Sequence, residues 1–164
     1  MTKTAIILIG APAAGKSTLA KTFTDNGYVL CSTDEIRLRL FGDYDEQGGF
    51  SLVEQEVINI LSSIEDGGKV VIDATHFKIR YRRGTNERLI KMGFNIRIGL
   101  YLERSIEYCY EKNKSRDRRV PINVIDRMHK NLTLNKPNVD EGFTQVFTFA
   151  NTEDFSTSFG CLKA

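Results

Sequence analysis

Eight residues near the N-terminus, Gly10-Ala11-Pro12-Ala13-Ala14-Gly15-Lys16-Ser17, fit the pattern G-x-x-x-x-G-K-[ST]. An apolar, β-branched run (TAIILI, 4–9) precedes them, and a helical stretch (16–25) follows. The two glycines let the backbone turn with φ > 0 and bring its N–H groups close to phosphate oxygens. Lys16 supplies a point charge for the β- and γ-phosphates, and Ser17 a hydroxyl for Mg²⁺. The helix that starts here aims its positive end at the same anion. Chance would produce the pattern in only about 0.6% of chains of this length, so accident is a poor explanation. The expectation is ATP or GTP binding by Gly10, Ala13, Ala14, Gly15, Lys16, Ser17 and Thr18.

The rest of the chain alternates strand and helix patterns. Further strands are expected at 28–32, 69–73, 94–102 and 143–150. Helices are expected at 34–41, 52–64, 81–92, 105–113 and 121–134. Five strands alternating with helices predict an α/β fold with a five-stranded, mostly parallel sheet flanked by helices. At 164 residues the chain has room for one domain, 1–164, with the tail over about 151–164 left unassigned.

Composition removes several alternatives. With 23 basic against 21 acidic residues, bulk charge does not mark a nucleic-acid binder, and any such site must come from local clustering. No apolar run approaches a membrane span, so no membrane partner is expected. Cys31, Cys109 and Cys161 lie far apart and are odd in number, against both zinc and a disulfide framework. A reducing, cytoplasmic setting follows, and no protein partner is implied.

A base near the end of a neighbouring strand separates enzymes that pass a phosphoryl group to a hydroxyl from those that hydrolyse the nucleotide. The second strand runs into Ser32-Thr33-Asp34-Glu35-Ile36-Arg37. Asp34 could take the proton of an attacking hydroxyl, and Arg37, one helical turn on, could hold an acceptor phosphate or the transferring group. The plainer reading makes Thr33 or Asp34 a helix cap. The third strand ends in Asp73-Ala74-Thr75-His76; Asp73 suits indirect positioning of Mg²⁺ or water, or simply caps the strand end. Thr75, His76 and Arg83 join Arg37 as acceptor-side candidates. Lys78, Arg80, Arg82 and Arg83, with Tyr81 among them, could follow a phosphodiester backbone and stack a base, or be a solvated helix face.

Residues 112–119 (KNKSRDRR) hold five cations and one acid, between a helix and the Val120-Pro121 start of the next. Beside a phosphate loop this reads as a basic helical lid over about 105–134 rather than a plain surface charge run. Its closing would bring Arg116, Arg118 and Arg119 to the charge developing on the γ-phosphate.

Taken together, GAPAAGKST, STDEIR, VVIDATHF and NKSRDRRVPINVIDRMHKNL resemble the polynucleotide kinase-like family of P-loop kinases over roughly residues 4–137. The resemblance implies a P-loop NTPase/kinase fold and transfer of the γ-phosphoryl of ATP, with Mg²⁺, to a hydroxyl. The favoured acceptor is the 5′-hydroxyl end of DNA or RNA; the alternatives are a small-molecule kinase of a sugar, nucleoside or antibiotic hydroxyl on the same scaffold, and a nucleotide-binding regulator that uses no acceptor. It puts Lys16 and Ser17 on nucleotide and Mg²⁺, Asp34 in the general-base role, Arg37 near the acceptor, and Arg116 on the transition state. Where the family pattern reads Asp-Thr-Asn, this chain has Ala74-Thr75-His76, with an acid one place earlier, at Asp73.

Overall fold

Residues 5–9 of the first apolar run have no exposed surface, so this strand must be covered on both faces, as in a parallel sheet between layers of helix. The computed structural model describes residues 1–46, 48–151 and 154–155. Its strands are β1 (Lys3–Ile9), β2 (Val29–Ser32), β3 (Lys69–Asp73), β4 (Phe94–Leu102) and β5 (Gln145–Phe149). They form one sheet in the order β2-β3-β1-β4-β5, and every pairing is parallel. The helices are α1 (Lys16–Thr24), α2 (Thr33–Phe41), α3 (Phe50–Ser62), α4 (Ile79–Lys91), α5 (Ile106–Lys114) and α6 (Ile122–Leu134).

The register decides where chemistry can occur. Asp73, the last residue of β3, pairs with Leu8 of β1 on one side and with Ser32 of β2 on the other. Three strands therefore end level at the carboxyl edge, and the segments leaving them start side by side.

Element ends differ from the sequence expectation by small amounts with local causes. The second helix starts at Thr33 because the Ser32 hydroxyl accepts from the Glu35 N–H and caps it. The last strand starts at Gln145, since Gly142 turns the chain at φ 100° and Phe143 is buried in the core ahead of it. A one-turn 3₁₀ helix, Val139–Glu141, was not foreseen. Most of the unassigned tail, including Cys161, lies outside the described residues.

Arg82 was grouped with the basic, acceptor-facing segment, yet its side chain is fully buried. It forms an ion pair with Glu141, whose side chain is 1% exposed. Its remaining N–H groups donate to the carbonyls of His76 (3.0 Å), Phe77 (3.3 Å) and Asn135 (2.9 Å). One guanidinium therefore ties the loop after β3 to the end of α6 and to the 3₁₀ turn.

Candidate active site

The phosphate loop connects β1 to α1. Gly15, the residue before α1, sits at φ 103°, where a Cβ is strained, and Ala13 takes the second left-handed position at φ 63°. Gly10 is not left-handed, contrary to the sequence expectation. It is needed instead for close packing, because a Cβ there would lie 3.3 Å from Ala14 Cβ and 3.4 Å from the Leu102 carbonyl oxygen. Lys16 is buried and folds back over the loop, its Nζ donating to the Gly10 and Ala11 carbonyls at 3.0 and 2.8 Å. Burial pulls its ammonium below the usual lysine range, and the nearby charges of Asp73 and Asp34 oppose that pull.

A cleft of about 1540 Å³ opens along the carboxyl edge of the sheet. Ala13, Gly15, Lys16, Ser17 and Thr18 line it, whereas Gly10 and Ala14 lie behind and shape the loop. Asp34, Arg37, Asp73, Thr75 and His76 line it too, as do Arg116, Arg118 and Arg119. Arg83 does not: it is exposed on α4, and the basic side chains of the 78–83 segment at the cleft are Lys78 and Arg80, joined by Arg88 farther along α4.

Ser17 Oγ donates to Asp73 Oδ2 at 2.9 Å. Burial pushes the Asp73 carboxyl above the usual range, opposed by the Lys16 charge and by this hydrogen bond. A hydroxyl beside a carboxylate is a hard-oxygen donor set, which fits Mg²⁺. Among the described residues there is no cluster of three or more His, Cys, Asp or Glu able to cage a metal.

Ser32 caps α2, so the Asp34 side chain is not needed for that purpose. It lies between two guanidinium groups: Arg37 donates to Oδ1 at 3.3 Å and Arg118 to Oδ2 at 3.0 Å. From the sequence, Arg118 is expected toward the phosphates, with no link to Asp34. The loop between α5 and α6 that carries it is closed by Asn113, whose side chain donates to the Val120 carbonyl (2.8 Å) and accepts from the Val120 N–H (2.9 Å). Asn113 is thus a buried strut between α5 and α6.

His76 is buried at φ 48°. Its Nδ1 donates to the Leu8 carbonyl at 2.9 Å, and Nε2 lies 3.3 Å from the Thr85 hydroxyl. Burial lowers its pKa to about 4, so the ring is neutral at physiological pH. The unfolded chain, with an ordinary histidine pKa near 6.5, takes up the proton first. The resulting stability is whole above about pH 6.5 and is lost as pH falls toward 4. His76→Gln is expected to flatten the pH dependence of unfolding free energy in that window. Identical slopes in urea titrations of the two proteins would refute it.

Cys31, fully buried, lines the cleft near the Glu54–Arg88 pair that joins α3 to α4. Burial raises its thiol to about 12, so it acts as an inert apolar group. Glu54 and Arg88 belong to none of the sequence motifs. Their one visible signal is that each sits on a cleft-facing helix with apolar neighbours at helical spacing.

The AAA_33 family, described as an AAA domain, matches residues 6–134. No curated protein matches the sequence significantly. Among solved structures, a chain of the Pnkp1/Rnl/Hen1 RNA repair complex is similar with a TM-score of 0.72 and 21% identity. That match covers 82% of this chain but only 45% of the neighbour's length. Shikimate kinase from Acinetobacter baumannii, in complex with shikimate, gives 0.63 and 21%, covering 99% of this chain and 93% of that one. The tunicamycin resistance protein of Deinococcus radiodurans gives 0.64 and 16%, covering 99% and 96%. At these identities the likeness establishes the P-loop kinase fold.

Proposed function

Because the chain belongs to the AAA_33 family and has the P-loop kinase fold, we propose that it transfers the γ-phosphoryl group of ATP to a hydroxyl, most favourably the 5′-hydroxyl end of DNA or RNA. The observation that carries this reading is the level ending of β1, β2 and β3. It brings Lys16, Ser17, Asp73 and Asp34 to one cleft, with Asp34 opposite the phosphate loop and supported by two arginines. A hydrolase or a nucleotide switch has no need of an alcohol base there.

In the proposed reaction Lys16 and the loop N–H groups hold the β- and γ-phosphates. Asp34 accepts the proton of the acceptor hydroxyl as its oxygen bonds to the γ-phosphorus, and ADP leaves. Arg116 approaches from the lid and offsets the charge developing on the transferring group. Ser17, with Asp73 behind it, would hold Mg²⁺, which when bound neutralises phosphate charge. Arg37 and Thr75 form the near wall for the acceptor, and Lys78, Arg80 and Tyr81 extend it with cations and an exposed ring. The neutral, inward-bonded His76 supports that wall from beneath. A cytoplasmic setting is part of the proposal, supported by the buried, unbridged thiols of Cys31 and Cys109. No helix among the described residues is long and apolar enough to cross a membrane.

A second reading, a kinase of small-molecule hydroxyls, is favoured by the apolar part of the cleft lining. Cys31, Val57, Leu61 and Ile72 line that region near Glu54 and Arg88, a setting suited to a compact ligand. Label transfer from γ-labelled ATP to a short single strand, in 5′-hydroxyl and 5′-phosphate forms, tests the proposal. Label on the 5′-hydroxyl form alone, weakening steeply with salt, is the expected result. No label on either form, with ATP still bound, would transfer the assignment to small acceptors, to be screened by ADP release.

A further inference from the structure

The lid arginines do not all face the nucleotide. The charge of Arg116 acts on Lys16 and Asp73, at the phosphate end of the cleft. Arg118, two residues on, is held from three directions at the acceptor end. Nη1 donates to Asp34 Oδ2 at 3.0 Å, Nη2 pairs with the Asp45 carboxylate, and the guanidinium carbon lies 5.0 Å from the centroid of the Tyr44 ring. Tyr44 and Asp45 belong to the loop between α2 and α3, which no motif in the sequence marked.

A planar guanidinium can serve two carboxylates at once while its face covers an aromatic ring; an ammonium on a flexible stem cannot hold all three. The geometry points to Arg118 as a positioning residue for Asp34. With Tyr44 and Asp45 it forms a clasp that docks the lid tip on the α2–α3 loop and fixes the base as the lid closes. The inference rests on the phosphotransferase reading for its catalytic consequence, but not for the clasp itself. Arg37 holds one carboxylate oxygen and Arg118 the other, which sets the rotation of the group. Asp34 nevertheless remains 49% exposed, so a hydroxyl can still reach it.

Two measurements on the full chain test this. The first is amide hydrogen exchange over residues 42–46, which needs no acceptor. Arg118→Ala and Asp45→Asn are each expected to speed exchange there at least about fivefold, because the loop loses its tie to the lid. Unchanged exchange in both variants overturns the clasp. The second is steady-state transfer with an acceptor that the wild-type protein uses. Asp45→Asn, which reaches Asp34 only through the Arg118 guanidinium, is expected to lower kcat about tenfold with the KM for ATP unchanged, and to add little to the loss in Arg118→Ala. Additive losses, or a loss confined to the KM for ATP, overturn the positioning role. So does full recovery of activity in Arg118→Lys. If the wild-type protein labels no acceptor, the phosphotransferase reading fails, while the exchange measurement still decides the clasp.

Discussion

Asp34→Asn is expected to lower kcat for phosphoryl transfer by about 10²–10⁴, the loss typical of removing a general base, while leaving ATP affinity near its wild-type value. The substitution is nearly isosteric. The amide oxygen can still accept from one of the two guanidinium groups, while the other loses its acceptor and the basic lone pair is gone. Folding should hardly notice. Ser32 provides the helix cap, and Asp34 is a half-exposed acid in the first turn of α2, a position worth well under about 1 kcal/mol. Single-turnover transfer together with calorimetric ATP titration separates the possibilities. A parallel loss of ATP affinity would make Asp34 part of the nucleotide site and leave the acceptor without a base.

Glu141→Ala is expected to destabilise the fold by about 3–5 kcal/mol, because it leaves the Arg82 charge buried without its counterion. The cost should not depend on salt, since the pair is sealed from solvent. Arg82 would keep its bonds to the His76, Phe77 and Asn135 carbonyls. The guanidinium would lose the acceptors of its Nε–H and of one Nη2–H together with its counter-charge. Replacing both partners by apolar residues would remove the charge imbalance but leave those three carbonyls unpaired, so it should recover only part of the loss. Denaturant unfolding of the two variants against wild type measures both terms. A change below about 1 kcal/mol in Glu141→Ala would mean that water reaches the pair. Because Arg82 also supports the loop carrying Thr75 and His76, the variant should bind acceptor less well before it unfolds.

Much of the fold was legible because its causes are local. Apolar β-branched runs make buried strands wherever they stand, and apolar residues at helical spacing make one-sided helices. The phosphate loop is equally local. Eight consecutive residues carry its turn and its donors, although the positive φ expected at Gly10 is taken by Ala13, and Gly10 is there for want of space. Asp34, Asp73 and the lid cations could be picked out as candidates because each follows a recognisable strand or helix end. Side-chain partners were not legible, since these depend on which chain segments the sheet brings together. Arg82 and Arg83 are adjacent in an apparently uniform basic run, yet helix geometry turns one into the core and the other to solvent. His76, a candidate for touching substrate from its loop position, is held by a carbonyl 68 residues away.

The sequence by itself therefore determined the phosphate loop, the alternating α/β order and a set of candidate residues beside that loop. These follow from spacings within a single turn of helix or a single strand. Only the tertiary structure decided that Arg118 meets Asp34 across 84 residues and that Arg82 meets Glu141 across 59. A parallel sheet sets strand ends side by side through crossover connections, and the neighbours it creates have no fixed spacing along the chain.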